Sequence, residues 1–504
     1  MQKSKIILVL LACLVISGLS KAQAPRTQFI AQLDSFVQQL MIRVPVIPAM
    51  SISLVDEKGP VFIKAYGWAD KEAGIKADEN TLFYIASSTK SFTGLVAALL
   101  DHEKRIMLDS PFKKYFGPPQ FKNEIGDNVT VRSLLTHTSG LDNSPLVFRM
   151  AYSGSIAENE MQQVLKDATV SKANPGQYKY DNLGYNIYGM ILQQQLNKKW
   201  QDVLNERIFV PLGMSRTTAY VSLAEKNKWP IALPYYGYGE KGLTKLYLQK
   251  KDNTMQSAGG LLTTPADIAK WLQVQLNQGK LGNRQVFPAQ VIQNTHVSFA
   301  RFEKGSAPFS NPGGYGLGWS TGSYRDEKIV YHFGGFPGYK SHISFMPEKK
   351  LGIAIFVNEA SIGSPAVDML ASYIYDWAMN ALDHSGFYAK KLEELETSHQ
   401  RAIEGTQKGY ADRAKRVSQL SFPLASYTGK YRHVHFGEVE VTIEGDALGV
   451  KMGNMHVIST PYTQKETIRV ELIPGTGQVV GFKLDESQKV TGLVYDGVEY
   501  KKLQ

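Results

Sequence analysis

The sequence predicts a mixed α+β protein in which antiparallel strands are combined with helices. Alternating runs at 49–56 and 61–68 flank the turn residues Glu57-Lys58-Gly59-Pro60, which is the pattern of a β-hairpin. Apolar residues between 92 and 100 recur at helical spacing. Further strand-like runs follow at 315–320, 328–333, 340–346 and 351–357. One large domain is therefore expected, and the remaining length allows a smaller second domain.

Composition and charge limit the function classes. The chain has 504 residues, of which 43% are hydrophobic and 20% charged, as in ordinary globular proteins. The formal net charge of +10 accompanies no basic run interleaved with aromatic residues, so nucleic-acid binding is not expected. A weakly basic surface suits an anionic cell envelope.

Residues 1–22 are predicted to be a signal peptide. Lys3 and Lys5 precede an apolar run at 6–16, and Ser20-Lys21-Ala22 offers a cleavage site of the small-x-small type. The run is too short to span a membrane. We therefore expect a periplasmic or secreted protein whose net charge falls from +10 to +7 with the loss of three lysines.

The one cysteine, Cys13, lies in the same apolar run. Lipid attachment at Cys13 is the alternative, but the run continues beyond it, which favours a cleaved signal peptide. A mature chain without cysteine would have no disulfide, no thiol nucleophile and no cysteine-ligated metal.

The stretch Ser87-Ser88-Thr89-Lys90 places a nucleophile and a base one helical turn apart, at the start of the predicted helix. A serine hydroxyl is a weak nucleophile until a neighbouring group accepts its proton. Lysine can accept it only when neutral, and both burial and the positive end of a helix dipole lower the lysine pKa. The spacing alone is loose, because about two chance copies are expected in a chain of this length.

A second copy of the pattern is present at Ser110-Pro111-Phe112-Lys113. Pro111 at a first helical position indicates that Ser110 caps a helix, so that its hydroxyl is already used. We therefore favour Ser87.

Two later segments carry candidate partners for Ser87. Tyr180-Asp181-Asn182 precedes the apolar helix at 187–196. A tyrosine near a lysine can act as a base and an asparagine can bind an amide, but a buried tyrosine and a capping asparagine explain the same residues. His332-Phe333-Gly334 ends a predicted strand, where the imidazole is either functional or structural.

The segment Gly318-Trp319-Ser320-Thr321-Gly322 matches the Gly-x-Ser-x-Gly turn of α/β-hydrolases, which requires a helix directly after the serine. The residues that follow are polar and lead into another strand-like run. Ser320 is therefore interpreted as the end of a strand.

The order of Ser87-Ser88-Thr89-Lys90, Tyr180-Asp181-Asn182 and His332-Phe333-Gly334 resembles the penicillin-binding protein and class C β-lactamase superfamily of serine hydrolases. That superfamily includes D-aminopeptidases, DD-peptidases and esterases. The resemblance covers roughly residues 27–380 and implies a β-lactamase/penicillin-binding-protein-like fold. In it, an antiparallel sheet flanked by helices lies beside an all-helical subdomain, with the site in the cleft between them. Further stretches resemble the superfamily: 134–141, 208–214, 258–261 and 315–319.

The resemblance also implies catalytic roles. Ser87 would be the acylated nucleophile, and Lys90 and Tyr180 would share the transfer of its proton. The backbone N–H groups of Ser87 and Gly335 would form the oxyanion hole. No cofactor is implied.

For substrate binding, the resemblance implies that Asn182 contacts the substrate amide and that His332, Gly334 and Gly335 line the site. The chain departs from the β-lactamase pattern here, because His332-Phe333-Gly334 stands where those enzymes have Lys-Thr-Gly. A lysine is a permanent cation for a substrate carboxylate, whereas a histidine is mostly neutral at pH 7.

We therefore expect a periplasmic or secreted serine hydrolase that acts through an acyl-enzyme on small peptides, amides or esters, with peptidoglycan fragments among the candidates. One alternative is a β-lactamase or DD-carboxypeptidase. Another is a weakly active protein of the same fold that binds or senses peptidoglycan. The intact Ser87, Lys90 and Tyr180 favour an enzyme, because a binding module needs no base beside its serine.

The expected domains are a hydrolase domain at 23–385, a solvated helical linker at 386–420 and a small β-rich accessory domain at 421–504. The linker is rich in Lys, Glu, Gln and Ala. The last segment has short alternating runs and an Asp496-Gly497 hairpin signal. Its role is open between covering the cleft, mediating assembly and binding wall material.

No metal is expected. His433 and His435 would share a strand face, but no third ligand follows in the sequence. The expected partner is a small-molecule or peptide substrate, with no nucleic acid and no transmembrane segment in the mature chain.

Overall fold

The structure, a computed structural model, describes residues 26–117, 120–154, 156–303, 308–309, 313–380 and 384–503. The predicted signal peptide and Cys13 lie outside these ranges. Within them, no helix has the length and apolarity needed to cross a membrane.

Strands of the first 360 residues form a central sheet and several small ladders. They are β1 (Ala49–Asp56), β2 (Pro60–Asp70), β3 (Ile75–Lys76), β4 (Phe83–Tyr84), β5 (Leu141–Asp142), β6 (Val170–Ser171), β7 (Tyr235–Gly239), β8 (Gly242–Lys245), β9 (Leu262–Thr263), β10 (Lys280–Leu281), β11 (Arg284–Gln285), β12 (Ala300–Phe302), β13 (Gly313–Tyr315), β14 (Ser320–Tyr324), β15 (Glu327–Phe336), β16 (Tyr339–Met346) and β17 (Leu351–Val357).

Residues 26–43 are helical and form α1. The other helices are α2 (Thr89–His102), α3 (Val131–Leu135), α4 (Ser144–Phe148), α5 (Glu158–Ala168), α6 (Leu183–Leu196), α7 (Trp200–Leu204), α8 (Val210–Leu212), α9 (Val221–Lys226), α10 (Pro265–Leu276), α11 (Ala289–Thr295), α12 (Gly363–Ala378) and α13 (His384–Ala414). Short 3-10 segments lie at Ala86–Ser88, Phe112–Tyr115, Gln256–Ala258 and Leu424–Tyr427, and π-helical turns at Arg149–Ser153 and Asn205–Phe209.

The central sheet has nine antiparallel strands in the order β12-β13-β14-β15-β16-β17-β1-β2-β3. The predicted hairpin at 49–68 is confirmed, with Ser53 opposite Ile63. Alternate residues of β17 enter two different cores, as the two-residue period of a strand requires. Ala354 and Phe356 pack with residues of α2 and α10, whereas Ile353 and Ile355 pack with residues of α1 and α12. Helices therefore cover both faces of the sheet.

The helices from α3 to α9 form the predicted helical subdomain. Its central helix is α6, in which every residue from Leu183 to Leu192 is buried. The subdomain is not purely helical, because it also contains the two-residue strands β5 and β6. The antiparallel sheet, its flanking helices and this subdomain are the expected β-lactamase/penicillin-binding-protein-like fold.

The strand predicted at 315–320 is wrong in its bounds. Residues 316–319 are a turn between β13 and β14, so Ser320 starts a strand. No helix follows Ser320 directly, as expected. Ser110 is not the cap predicted for it, because Pro111 occupies that position; the Ser110 hydroxyl instead accepts a hydrogen bond from Lys114.

The helix in the predicted linker is not solvated along its length, which corrects the expectation for 386–420. Tyr388, Leu392 and Leu395 at the start of α13 are buried in the core that also contains α1 and α12. Its later turns are mostly exposed. The first half of α13 therefore packs on the body of the molecule.

The C-terminal strands form a second nine-stranded antiparallel sheet in the order β21-β20-β19-β18-β26-β25-β24-β23-β22. The two edge strands are separated in sequence by Ser459 alone, so the sheet curls into a nearly closed barrel. The hairpin at Asp496-Gly497 is confirmed, with φ of 48° and 75°. The barrel strands are β18 (Gly429–His433), β19 (Gly437–Glu444), β20 (Ala447–Met452), β21 (Met455–Ile458), β22 (Thr460–Pro461), β23 (Thr467–Val470), β24 (Gln478–Leu484), β25 (Val490–Tyr495) and β26 (Val498–Lys502).

Candidate active site

Ser87 lies in the 3-10 turn that leads into α2. The preceding residue, Ala86, has φ of 44°, a left-handed conformation that is unfavourable for alanine and recurs at functional sites. The neighbouring Ser88 hydroxyl donates to the His332 carbonyl at 3.0 Å and lies 2.9 Å from the Ser341 hydroxyl. The turn is therefore fixed against β15 and β16.

Gly334 allows β15 to approach this turn. A Cβ atom at Gly334 would lie 2.0 Å from the Ile85 carbonyl oxygen and 2.4 Å from Ser341 Oγ. Neither distance is possible for a real side chain, so the packing requires glycine.

Lys90 is completely buried and its amine has three hydrogen-bond partners. Nζ lies 3.2 Å from Ser87 Oγ, 2.7 Å from Asn182 Oδ1 and 2.8 Å from the Ala258 carbonyl oxygen. Burial lowers the pKa of Lys90 to about 7, against a smaller opposing effect of Asp181. A large fraction of Lys90 is therefore neutral at neutral pH.

Tyr180 lines the same cavity as Ser87, and Lys90 Nζ lies 4.9 Å from the centre of its ring. Although the residue as a whole is 43% exposed, burial around the hydroxyl raises the pKa of the phenol, and the neighbouring Ser87 side chain offsets this only in part. Tyr180 is therefore a neutral phenol at pH 7.

Asn182 precedes α6, but its side chain does not cap the helix. The N-terminal hydrogen bond comes from Asp181, whose Oδ1 accepts the Gly184 N–H at 3.0 Å. Asn182 is thereby left to accept from Lys90, and the capping alternative considered for it is wrong.

His332 is 4% exposed, and both of its ring nitrogens are used inside the protein. Nδ1 donates to the Phe333 carbonyl at 2.8 Å, so Nε2 must accept the Tyr315 hydroxyl proton at 2.9 Å. Burial, helped by the Lys90 charge, lowers the pKa of His332 to about 3. His332 is a neutral ring with no N–H left over.

No role was predicted for His137, which is 1% exposed. Its Nδ1 accepts the Asp181 N–H at 3.3 Å, and its ring centre lies 4.4 Å from that of Tyr180. Its Nε2 has no partner in the described part of the chain. His137 therefore supports the segment that carries Tyr180. The one signal for it was its position within the stretch 134–141.

Most of the sequence-predicted residues meet at one cavity of about 510 Å³. The pairing of β14 with β15 ends at Tyr331, and the following part of β15 borders this cavity. Lys90 and Asn182 lie behind Ser87. The lining residues are Ser87, Tyr178, Tyr180, Phe302, Ser320, Tyr331, His332, Phe333, Gly334, Gly335 and Lys340.

Lys340, which the sequence analysis did not single out, is the charged residue of this lining. It lies opposite Gly335 in the register of β15 and β16, and its Nζ lies 5.3 Å from the centre of the Phe333 ring. Lys340 forms no ion pair with any residue that the structure describes.

The described residues contain no cluster of three or more metal-ligating side chains. His433 Nδ1 accepts the backbone N–H groups of His435 and Phe436.

Comparisons with known proteins identify relatives of this chain and solved structures of the same fold. Unguisins hydrolase ungD' of Aspergillus campestris is 26% identical over 414 residues, which cover 78% of this chain and 74% of that protein. Among solved structures, the octameric penicillin-binding protein homologue of Pyrococcus abyssi superposes with a TM-score of 0.60 at 24% identity, covering 94% of this chain and all of that one. The D-amino acid amidase of Ochrobactrum anthropi SV3, complexed with L-phenylalanine amide, has a TM-score of 0.54 at 21% identity, covering 75% and 99%.

The family model described as Beta-lactamase matches residues 33–372, about two thirds of the chain. This range contains the central sheet, the helical subdomain and the cavity at Ser87. The chain therefore belongs to the Beta-lactamase family and is a serine hydrolase.

Proposed function

We propose that the protein hydrolyses amides, short peptides or esters through an acyl-enzyme formed on Ser87. The observation that carries this proposal is the arrangement of acceptors around Lys90. A neutral amine has two N–H groups and one lone pair. The two shorter contacts, to Asn182 Oδ1 and the Ala258 carbonyl, take the two N–H groups, which leaves the lone pair for the Ser87 hydroxyl at 3.2 Å.

Proton transfer follows from the protonation states. Neutral Lys90 accepts the Ser87 proton as the hydroxyl attacks the substrate carbonyl. Tyr180 enters as a neutral phenol, so its role is to pass a proton towards the leaving group and not to act as a resident phenolate.

The oxyanion would lie between the backbone N–H groups of Ser87 and Gly335. Ser87 precedes α2, where the helix dipole favours negative charge. Gly335 leaves the cavity open, because a Cβ at this position would meet no described atom within 4 Å.

The lining supports a class of substrate. The Tyr178 and Phe302 rings pack with centres 5.1 Å apart, and Phe333 is a further aromatic residue of the lining. The described lining contains the cation Lys340 but no carboxylate. The sequence predicted a site without a permanent cation, because His332 stands where β-lactamases have the lysine of Lys-Thr-Gly. Lys340 restores one from the neighbouring strand, so amides and peptides that carry both an apolar side chain and a carboxylate fit this lining.

One structural neighbour is a D-amino acid amidase, and this name supports amide bonds as targets. The relative from Aspergillus campestris is a hydrolase by its name, which supports hydrolysis in general. A periplasmic or secreted location and a peptidoglycan-derived substrate belong to the same proposal. They rest on the signal-peptide pattern at residues 1–22.

Labelling with a fluorophosphonate probe tests the nucleophile. We expect the wild type to be labelled and Ser87→Ala to be unlabelled. The second Ser-x-x-Lys copy provides a matched control, and Ser110→Ala should be labelled at the wild-type rate. A folded wild type that resists acylation would favour the alternative, a binding or sensing protein.

A substrate panel then separates the chemistries. It should contain D- and L-amino-acid amides, short peptides with free and amidated C-termini, short-chain esters and a chromogenic cephalosporin. We expect amides, peptides or esters to be turned over faster than the cephalosporin. Cephalosporin turnover that matches the best ester would instead identify a β-lactamase.

A further inference from the structure

The C-terminal barrel shares a hydrophobic core with the active-site turn. This core contains Ala86, which precedes Ser87, and Phe336, which follows Gly335, together with Met452 and Met455 of the barrel. One contact is made through the π-helical turn Arg149–Ser153, which we call the bridging turn and whose Ala151 belongs to this core. π-helical turns are rare and frequently occur at functional sites.

The barrel holds the end of the bridging turn closely. The Asn454 N–H, in the hairpin between β20 and β21, donates to the Ser153 carbonyl at 2.8 Å. Gly453 has φ of 58°, and a Cβ there would lie 2.4 Å from the Ser153 carbonyl oxygen. The hairpin therefore fits against Ser153 only because residue 453 is glycine.

From the bridging turn, one contact leads to β15, which carries Gly335 of the proposed oxyanion hole and which we call the oxyanion strand. The Tyr152 ring stacks on the Phe336 ring with centres 5.9 Å apart and planes inclined by 19°. Tyr84, just before the active-site turn, packs edge-on against the same Phe336 ring at 5.4 Å. Phe336 immediately follows Gly335, so the position of Tyr152 bears on the backbone N–H of Gly335.

A second contact leads to Lys90. The Met150 carbonyl accepts the Met255 N–H at 2.8 Å. Met255 and Gln256 both have left-handed backbone, with φ of 61° and 47°, so this segment is strained and depends on its neighbours. Two residues later, the Ala258 carbonyl accepts from Lys90 at 2.8 Å.

We propose that the bridging turn is a positioning element through which the barrel sets the geometry of both the oxyanion strand and Lys90. The barrel is then part of the catalytic unit and not an appended module. This inference rests on the proposed function of Ser87. None of the bridging residues touches the reacting atoms, so their effect should fall on the rate of acylation and not on substrate affinity.

The two hairpins at the ends of β20 provide a matched pair of variants. Gly453→Ala pushes a methyl group against Ser153. Gly445→Ala, at the other end of β20, has the same left-handed strain at φ of 64°, but its Cβ would meet no described atom within 4 Å. Each full-length variant is compared with the wild type in thermal unfolding, in acylation by the fluorophosphonate and in kcat and KM.

We expect Gly453→Ala to be acylated about 10- to 100-fold more slowly, because small displacements of catalytic groups cause losses of this size. Its kcat should fall and its KM should change little. Gly445→Ala should acylate at the wild-type rate. Equal rates in both variants and the wild type, or equal losses in both variants, would overturn the inference. An unlabelled wild type would instead overturn the proposed function itself.

Tyr152 gives a second test that does not depend on the barrel fold. Tyr152→Phe keeps the stacked ring and should keep the acylation rate, whereas Tyr152→Leu should lower kcat without a matching change in KM. Wild-type kcat in Tyr152→Leu would contradict the link through Phe336 even if Gly453→Ala failed to fold.

Discussion

Replacing Lys90 by methionine tests the buried base by its effect on stability. The side chains are similar in length, but methionine carries no charge. The pKa of Lys90 falls from 10.5 to about 7 on burial, which corresponds to roughly 4 kcal/mol of lost stability at pH 7. Methionine removes this loss but leaves Asn182 Oδ1 and the Ala258 carbonyl without a donor, at about 1–3 kcal/mol each. We expect Lys90→Met to abolish acylation while its stability stays within about 2 kcal/mol of the wild type.

The pH dependence of that stability difference is the decisive quantity. Between the folded pKa of about 7 and the unfolded value of 10.5, the unfolded chain binds a proton that folded Lys90 does not. Stability therefore rises with pH in the wild type relative to Lys90→Met, by about 1.4 kcal/mol per pH unit, and the difference is flat below pH 7.

The assay is urea unfolding of the wild type, Lys90→Met and the control Lys113→Met at half-unit steps from pH 6 to 9.5. Lys113 belongs to the second Ser-x-x-Lys copy and is 30% exposed beside Asp127. A difference between wild type and Lys90→Met that does not change with pH would refute the account of Lys90 as a base made neutral by burial.

Three further changes test the cleft. Gly334→Ala should slow acylation more than about 100-fold, because its Cβ would lie 2.0 Å from the Ile85 carbonyl oxygen; a normal labelling rate would refute the required close approach. Tyr180→Phe should reduce kcat by about 10²- to 10⁴-fold, the range for acid–base groups, and wild-type kcat would remove Tyr180 from the proton path. Lys340→Met should lower kcat/KM about 2- to 10-fold for a peptide with a free carboxylate and leave its amidated counterpart unchanged. The exposed Lys328 on β15 provides the control, and an unchanged ratio of the two substrates in Lys340→Met would contradict the assignment.

Local patterns predicted the elements well. The alternation at 49–68 and the run at 351–357 gave strands whose bounds agree closely with β1, β2 and β17. The contact between Lys90 and Ser87 could also be predicted from local sequence, because residues three apart share a helix face.

Contacts between distant segments could not be read from the sequence. The hydrogen bond from Tyr315 to His332, the Ala258 carbonyl at Lys90 and the position of Lys340 beside the cleft all depend on tertiary packing. The sequence predicted that Lys340 lies in a strand but not which face of the sheet its side chain occupies, because that face depends on the register with Gly335.

Helix α13 was misjudged for a compositional reason. Tyr388, Leu392 and Leu395 recur at i, i+4 and i+7, which is the pattern of a buried helix face. The surrounding residues are mostly polar, and this composition led to the prediction of a solvated helix despite the short apolar stripe.

The most direct test of the central claim is the identification of the acylated residue during turnover. The wild type is mixed with a short-chain p-nitrophenyl ester, quenched with acid in the steady state and digested with trypsin. The peptide of residues 77–90 contains Ser87, Ser88 and Thr89, and fragmentation in the mass spectrometer locates the acyl group among them. The acyl mass on Ser87 is the predicted result. The acyl group on another residue, or turnover with no acylated peptide, would contradict a mechanism through Ser87.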